Sequence, residues 1–155
     1  MDIEQVELDP TTLAVVRERV AIAELAPFYD RAYGQVAAAL GAAGLSPAGP
    51  AVGWYASMPG SDVEVAAGFP VRPGDVPLGT ELDGAELQTV PGGPAVAALH
   101  VGPYDELGDA WTALDAWCRE RGLHPRGDFW EEYVTDPNPG GDPSRNVTRL
   151  VLPLV

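Results

Sequence analysis

Two adjacent carboxylates, Glu131 and Glu132, sit inside the run Asp128-Phe129-Trp130-Glu131-Glu132-Tyr133-Val134-Thr135-Asp136-Pro137. Its aromatic and β-branched composition predicts a strand, and side chains alternate between the two faces of a strand. Phe129, Glu131 and Tyr133 then share one face, and Trp130, Glu132 and Val134 share the other. One glutamate can reach solvent while the other looks into an aromatic surface. A carboxylate turned toward a core is costly unless something pairs with it. Walled by aromatic rings, it suits a large, flat, positively charged ligand. Desolvated in that way it also has a raised pKa and can act as a general acid or base, with Tyr133 or Tyr55 supporting a leaving group. On the plainer reading, both glutamates lie on an edge strand and are solvated.

The elements around this strand are organised by an internal repeat. Gly44-Leu45-Ser46-Pro47-Ala48-Gly49 resembles Gly122-Leu123-His124-Pro125-Arg126-Gly127, at an offset of 78 residues. The match continues without a gap to Tyr55/Tyr133 and Pro59/Pro137. Tyr55 and Tyr133 are therefore equivalent and both are expected at a central cleft, or else as paired core aromatics. Each copy follows a helical pattern: Leu25, Phe28, Ala32, Val36, Ala39 and Ala43 in the first half, and Leu107, Trp111, Leu114 and Cys118 in the second. Gly44 and Gly122 fall where left-handed C-terminal caps belong. Strand-like runs flank each helix: 3–8, 13–20, 51–57 and 63–69, then 86–90, 95–101, 129–135 and 147–154.

These patterns predict an α+β fold of two strand–helix–strand–strand repeats, each with a leading strand. The predicted halves, about 1–74 and 84–155, form one domain with pseudo-twofold symmetry, an antiparallel sheet, two helices and a central cleft. The Pro- and Gly-rich stretch 75–83 joins them, and Pro137 to Ser144 reads as a loop between the last two strands. Trp111 lies on the helix face with Leu107 and Leu114, as core or as ligand wall. Trp117 is core or rim, and Trp54 packs or caps a surface. Tyr104 opens the second helix after Gly102-Pro103. His100, in an apolar strand, reads as a satisfied structural histidine, His124 as solvated, and Cys118 as core.

The 155 residues hold 46% hydrophobic side chains, which suits one globular domain. The formal net charge of −14 repels nucleic acid and attracts cations. All nine basic residues are scattered arginines, and direct DNA binding is not expected. No apolar run approaches the roughly 20 residues that cross a bilayer. The acidic N-terminus lacks the pattern of a signal peptide, so a cytoplasmic protein with no membrane partner is expected. Two histidines and one cysteine without ligand spacing predict no metal. The absence of a glycine-rich phosphate loop predicts no cofactor.

His100-Val101-Gly102-Pro103-Tyr104, the helix with Trp111 and Trp117, the Gly-Leu-x-Pro-x-Gly turn, Gly68-Phe69-Pro70 and Trp130 to Pro137 occur in one order and spacing. Together they resemble the GyrI-like small-molecule-binding domain, which is also the effector-binding domain of multidrug-responsive transcription activators. The resemblance covers nearly the whole chain and implies a tandem strand–helix–strand–strand fold that binds lipophilic, often cationic compounds between its halves. It implies that Glu131 is the key acidic group, that Glu132 points outward, and that Phe69 is a candidate wall. The ligand-binding set is then Glu131, Tyr133, Tyr55, Trp111, Phe69 and Tyr104. Without residues for a helix-turn-helix, the chain resembles a stand-alone member. Some such relatives antagonise DNA gyrase, and others hydrolyse cyclopropane-bearing DNA-alkylating compounds. In a hydrolase of that kind Glu131 and Tyr133 would be catalytic. The leading expectation is a binder of hydrophobic, cationic aromatic molecules. A hydrolase comes second, and a gyrase-directed interaction module, for which no acidic ladder is present, comes last.

Overall fold

The computed structural model describes residues 1–77, 79–135 and 141–155. Eight strands and two longer helices follow one another as β1 (Ile3–Leu8), β2 (Thr11–Ala21), α1 (Leu25–Ala42), β3 (Ala51–Tyr55), β4 (Asp62–Val71), β5 (Glu86–Val90), β6 (Gly93–Val101), α2 (Leu107–Glu120), β7 (Phe129–Tyr133) and β8 (Val147–Pro153). Residues 137–140 of the expected loop Pro137 to Ser144, and Leu78 of the expected connection, lie outside the described residues. The end of that loop forms a short 3-10 turn, Pro143–Arg145.

All strands pair antiparallel in one sheet, in the order β1-β6-β8-β7-β3-β4-β2-β5. The order is symmetric about the β7–β3 junction. From the outside inward, β1 matches β5, β6 matches β2, β8 matches β4 and β7 matches β3. The leading strands are exchanged: β1 pairs with β6 of the second half, and β5 pairs with β2 of the first. The registry at the junction fixes the symmetry axis. Gly53 lies opposite Glu131, and these two residues are also equivalent at the 78-residue offset of the repeat. The pseudo-twofold therefore passes between them.

Both helices bury one stripe. Phe28, Ala32, Val36, Ala39 and Leu40 face inward from α1, and Leu107, Ala110, Leu114 and Cys118 from α2, at the i, i+3, i+4 spacing of an amphipathic helix. Phe28, Ala32 and the α2 stripe cover one face of the sheet in a cluster with Val63, Val65, Val96, Ala98, Phe129, Leu150 and Leu152, and Val36 and Leu40 pack with Ala14 and Val71 in a separate cluster. The opposite face carries a second cluster built from Leu13, Val15, Val52, Ala66, Val90, Trp130 and Val151. The expected caps are present: Gly44 has φ +72 and Gly122 φ +68. The next residues close each helix, Leu45 N to Leu40 O at 2.9 Å and Leu123 N to Cys118 O at 3.0 Å, as left-handed C-terminal caps do. Among the described residues, no helix is long and apolar enough to cross a membrane.

Candidate functional site

Strand β7 is held on both sides, by β8 and by β3. It is not the edge strand on which both glutamates would be solvated, and that plainer reading of Glu131 and Glu132 is corrected. A fork at its start sets its direction. Arg126 donates to Asp128 through Nε at 2.7 Å and Nη2 at 2.9 Å, and Trp54 Nε1 donates to the same carboxylate at 3.1 Å. Burial alone would raise the Asp128 carboxyl, but the hydrogen bonds from Arg126 and Trp54 outweigh it and hold it below the usual range. The polar end of Trp54 therefore anchors β3 to the entrance of β7, while its ring lies against the cluster on the helix-free face.

Alternation along β7 separates the two carboxylates. Glu132 lies on the helix-free face, accepting from Arg149 Nη1 at 3.0 Å and Trp130 Nε1 at 3.0 Å. Glu131 lies beneath the helices and is only 7% exposed. It accepts from Trp111 Nε1 at 3.3 Å on one oxygen and from the Tyr133 hydroxyl at 3.2 Å on the other. Both donors are neutral, and among the described residues no arginine or histidine forms an ion pair with it. Burial pushes its carboxyl above the ordinary value, and the two hydrogen bonds oppose that only in part.

Aromatic rings surround this carboxylate. Tyr133 meets Tyr104 edge-on at 5.7 Å and Tyr29 at 6.3 Å. Tyr29 stacks on Tyr33 at 5.7 Å, and Tyr33 touches Phe69 at 5.7 Å. On the other side Phe129 stacks on Tyr55 at 5.1 Å and meets Trp111 edge-on at 4.8 Å. The Tyr29 and Tyr55 hydroxyls hydrogen-bond to each other. All five tyrosines of the chain belong to this constellation. The phenols of Tyr29, Tyr33, Tyr55 and Tyr133 are pushed above their ordinary value by burial first; neighbouring phenols and the Glu131 charge add to this at Tyr29, Tyr33 and Tyr133, while at Tyr55 the Glu131 charge adds to it and the hydrogen bond with Tyr29 opposes it. They remain protonated donors at any physiological pH.

The six residues singled out in the sequence do converge, with Phe69 one ring removed, behind Tyr33. The Trp111 ring packs on the helix-side cluster and its N–H reaches Glu131. Three contributors went unrecognised in the sequence. Tyr29 and Tyr33 border the apolar stripe of α1 at an i, i+4 spacing, which is the signal that could have found them. Gly53 faces Glu131 across the axis. A Cβ there would lie 2.8 Å from the Tyr29 hydroxyl oxygen and 3.1 Å from that of Tyr133, so the missing side chain makes room for both phenols. The two positions are unlike: one half carries a carboxylate at the axis and the other no side chain. His100 Nε2 makes no hydrogen bond among the described residues and lies 3.6 Å from Glu106 Oε2.

The whole chain, residues 1–155, matches the family model of the GyrI-like small molecule binding domain. No curated protein matches it at a significant level. Among solved structures, SAV2435 bound to tetraphenylphosphonium is 12% identical with a TM-score of 0.72, over 100% of this chain and 94% of that one. EcmrR in its complex with DNA is 20% identical with a TM-score of 0.79, over 99% of this chain but 57% of the EcmrR chain. A hydrolase from Listeria innocua is 15% identical with a TM-score of 0.69, over 99% and 91%. At these identities the structural likeness speaks for the fold alone.

Proposed function

The chain belongs to the GyrI-like small-molecule-binding domain family, and from that premise we propose that it binds lipophilic aromatic cations over Glu131, between the two helices. The observation that carries this reading is the buried carboxylate with two neutral donors and, among the described residues, no cation paired with it. Ionised, such a group lacks a counter-charge, and a lipophilic cation supplies one without bringing water. The rings of Tyr29, Tyr33, Tyr55, Tyr104, Tyr133 and Trp111 offer faces for cation–π contact, each worth roughly 0.5–2 kcal/mol. Three such contacts with apolar burial reach micromolar affinity, about −8 kcal/mol. The rings touch one another, so binding requires them to part. Contacts that are mostly faces and edges specify shape loosely, which suits recognition of several compounds. Tetraphenylphosphonium, the ligand in the SAV2435 structure, has the chemistry this site favours.

Titration calorimetry with tetraphenylphosphonium and with neutral triphenylphosphine oxide tests the reading. The cation should bind at least about tenfold tighter, the equivalent of 1.4 kcal/mol. Equal affinity for the two would refute a charge-directed site.

A second reading has its own observation. Glu131, its carboxyl raised by burial, is hydrogen-bonded to Tyr133, an arrangement in which a protonated acid and a phenol can serve a strained electrophile. On that reading the protein hydrolyses cyclopropane-bearing alkylating compounds, with Glu131 and Tyr133 as the catalytic pair. Mass spectrometry of such a compound after incubation, against a buffer control, separates turnover from binding alone.

A further inference from the structure

Next to Glu131 the helix side of the sheet carries a second set of polar groups. Thr148 on β8 pairs with Tyr133 of β7 on one side and with His100 of β6 on the other. Alternation puts Thr148 on the same face as Leu150 and Leu152, and His100 on the same face as Val96 and Ala98, all four of which belong to the helix-side cluster. His100, Thr148 and Tyr133 thus form one row across three strands, beginning at the phenol that donates to Glu131. Thr148 is fully buried, and neither its Oγ1 nor His100 Nε2 has a hydrogen-bond partner among the described residues. The one polar contact recorded for His100 Nε2 among the described residues is with Glu106 Oε2 at 3.6 Å, too long for a hydrogen bond and an ion pair only when the imidazole is protonated, and the Glu106 side chain is about half exposed. Buried polar atoms are rarely left unpaired, because each costs its full desolvation. Two of them side by side, continuous with a candidate binding site, are a cost that a ligand can remove.

We propose that Thr148 and His100 form a polar subsite that takes a hydroxyl group of the bound molecule, so that the favoured ligands are aromatic cations carrying an alcohol at one edge. The inference rests on the binding reading given above. A threonine hydroxyl donates and accepts, and a neutral imidazole presents one of each. A ligand hydroxyl, which also does both, satisfies the pair with one group. Adjacent strands are about 4.8 Å apart, so an aryl ring lying over Tyr133 carries its outer substituent to the neighbouring strand, where Thr148 stands. A purely apolar ligand leaves both atoms unpaired and gains nothing from them.

The experiment compares two phosphonium ions of matched size, (4-hydroxymethylphenyl)triphenylphosphonium and (4-ethylphenyl)triphenylphosphonium, by titration calorimetry. The wild type should prefer the alcohol by about fivefold or more, the size of a hydrogen bond gained in a buried site. Thr148→Val, which keeps the shape, should reduce that preference below about twofold, and Thr148→Ser should retain it. Glu131→Gln should weaken both ions by a similar factor and leave the preference intact. A second readout needs no ligand: with its orphan hydroxyl removed, Thr148→Val should unfold at a higher denaturant concentration than the wild type, whereas a threonine satisfied within the fold would give the opposite shift. Absence of a preference in the wild type, or a preference that survives in Thr148→Val, overturns the subsite while the binding reading stands. If neither ion binds the wild type, the binding reading falls and the subsite falls with it.

Discussion

A carboxylate 7% exposed and held by two neutral donors makes the stability of this protein depend on pH. Burial raises the Glu131 carboxyl above its ordinary value of 4.5, so folding favours the protonated form. That contribution is fully present below the unfolded value and is lost as pH rises through the folded one. Glu131→Gln has no such loss. In denaturant titrations from about pH 4 to pH 8, the mutant should gain on the wild type as pH rises and the gap should then level off. A gap independent of pH would mean that the carboxyl is not desolvated. The affinity for a lipophilic cation should rise over the same window, because the ionised form is the one it pairs with. Gly53 gives a second test at this scale. A methyl group there meets the Tyr29 and Tyr133 hydroxyls, and Tyr29 is also tied to Tyr55. Gly53→Ala should destabilise the protein by about 1–3 kcal/mol through overpacking and weaken cation binding as well. An unchanged midpoint of thermal unfolding would contradict the close approach.

At the scale of elements, the exchange of leading strands ties the halves together. β2 lies between β4 and β5, and β1 is bound to β6 alone. A fragment ending at residue 77 keeps β1 to β4 but loses β5, β6 and the β7 partner of β3. It should therefore give no folded monomer, with random-coil dispersion in an amide NMR spectrum. A dispersed monomeric spectrum would contradict this account of the sheet. Much at this scale was legible in the chain. The strands around α1 and α2, both helices and both glycine caps follow from local periodicity and turn chemistry, and the strand β5 (Glu86–Val90) falls where alternation put it. The exchange was not legible, because pairing between distant strands leaves no local pattern. The loss of edge status for β7 has the same cause: composition identifies a strand, while its neighbours are set by topology.

Across the whole molecule, the pseudo-twofold joins two related units, and its axis passes between two unlike residues, Gly53 and Glu131. The repeat visible in the sequence located the strands β3 and β7. The family resemblance, more than the spacing, chose Glu131 over Glu132. The structure supplies the physical difference. Glu132 is paired with Arg149 on the other face, and Glu131 is buried with two neutral donors. Thr148 could not have been found from the chain, since a threonine in a strand is ordinary and what marks it is a buried hydroxyl with no hydrogen bond among the described residues. The net charge of −14 adds a general attraction for cations, but it draws on every carboxylate alike and cannot distinguish these two. The measurement that tests the central claim most directly is therefore the affinity of tetraphenylphosphonium for the wild type, Glu131→Gln and Glu132→Gln at one pH and ionic strength. Both substitutions remove one charge and keep the size. Glu131→Gln should weaken binding by about 1–3 kcal/mol and Glu132→Gln by less than about 0.5 kcal/mol. Equal losses, or a larger loss at Glu132, would show that the buried carboxylate of β7 is not what recognises the cation.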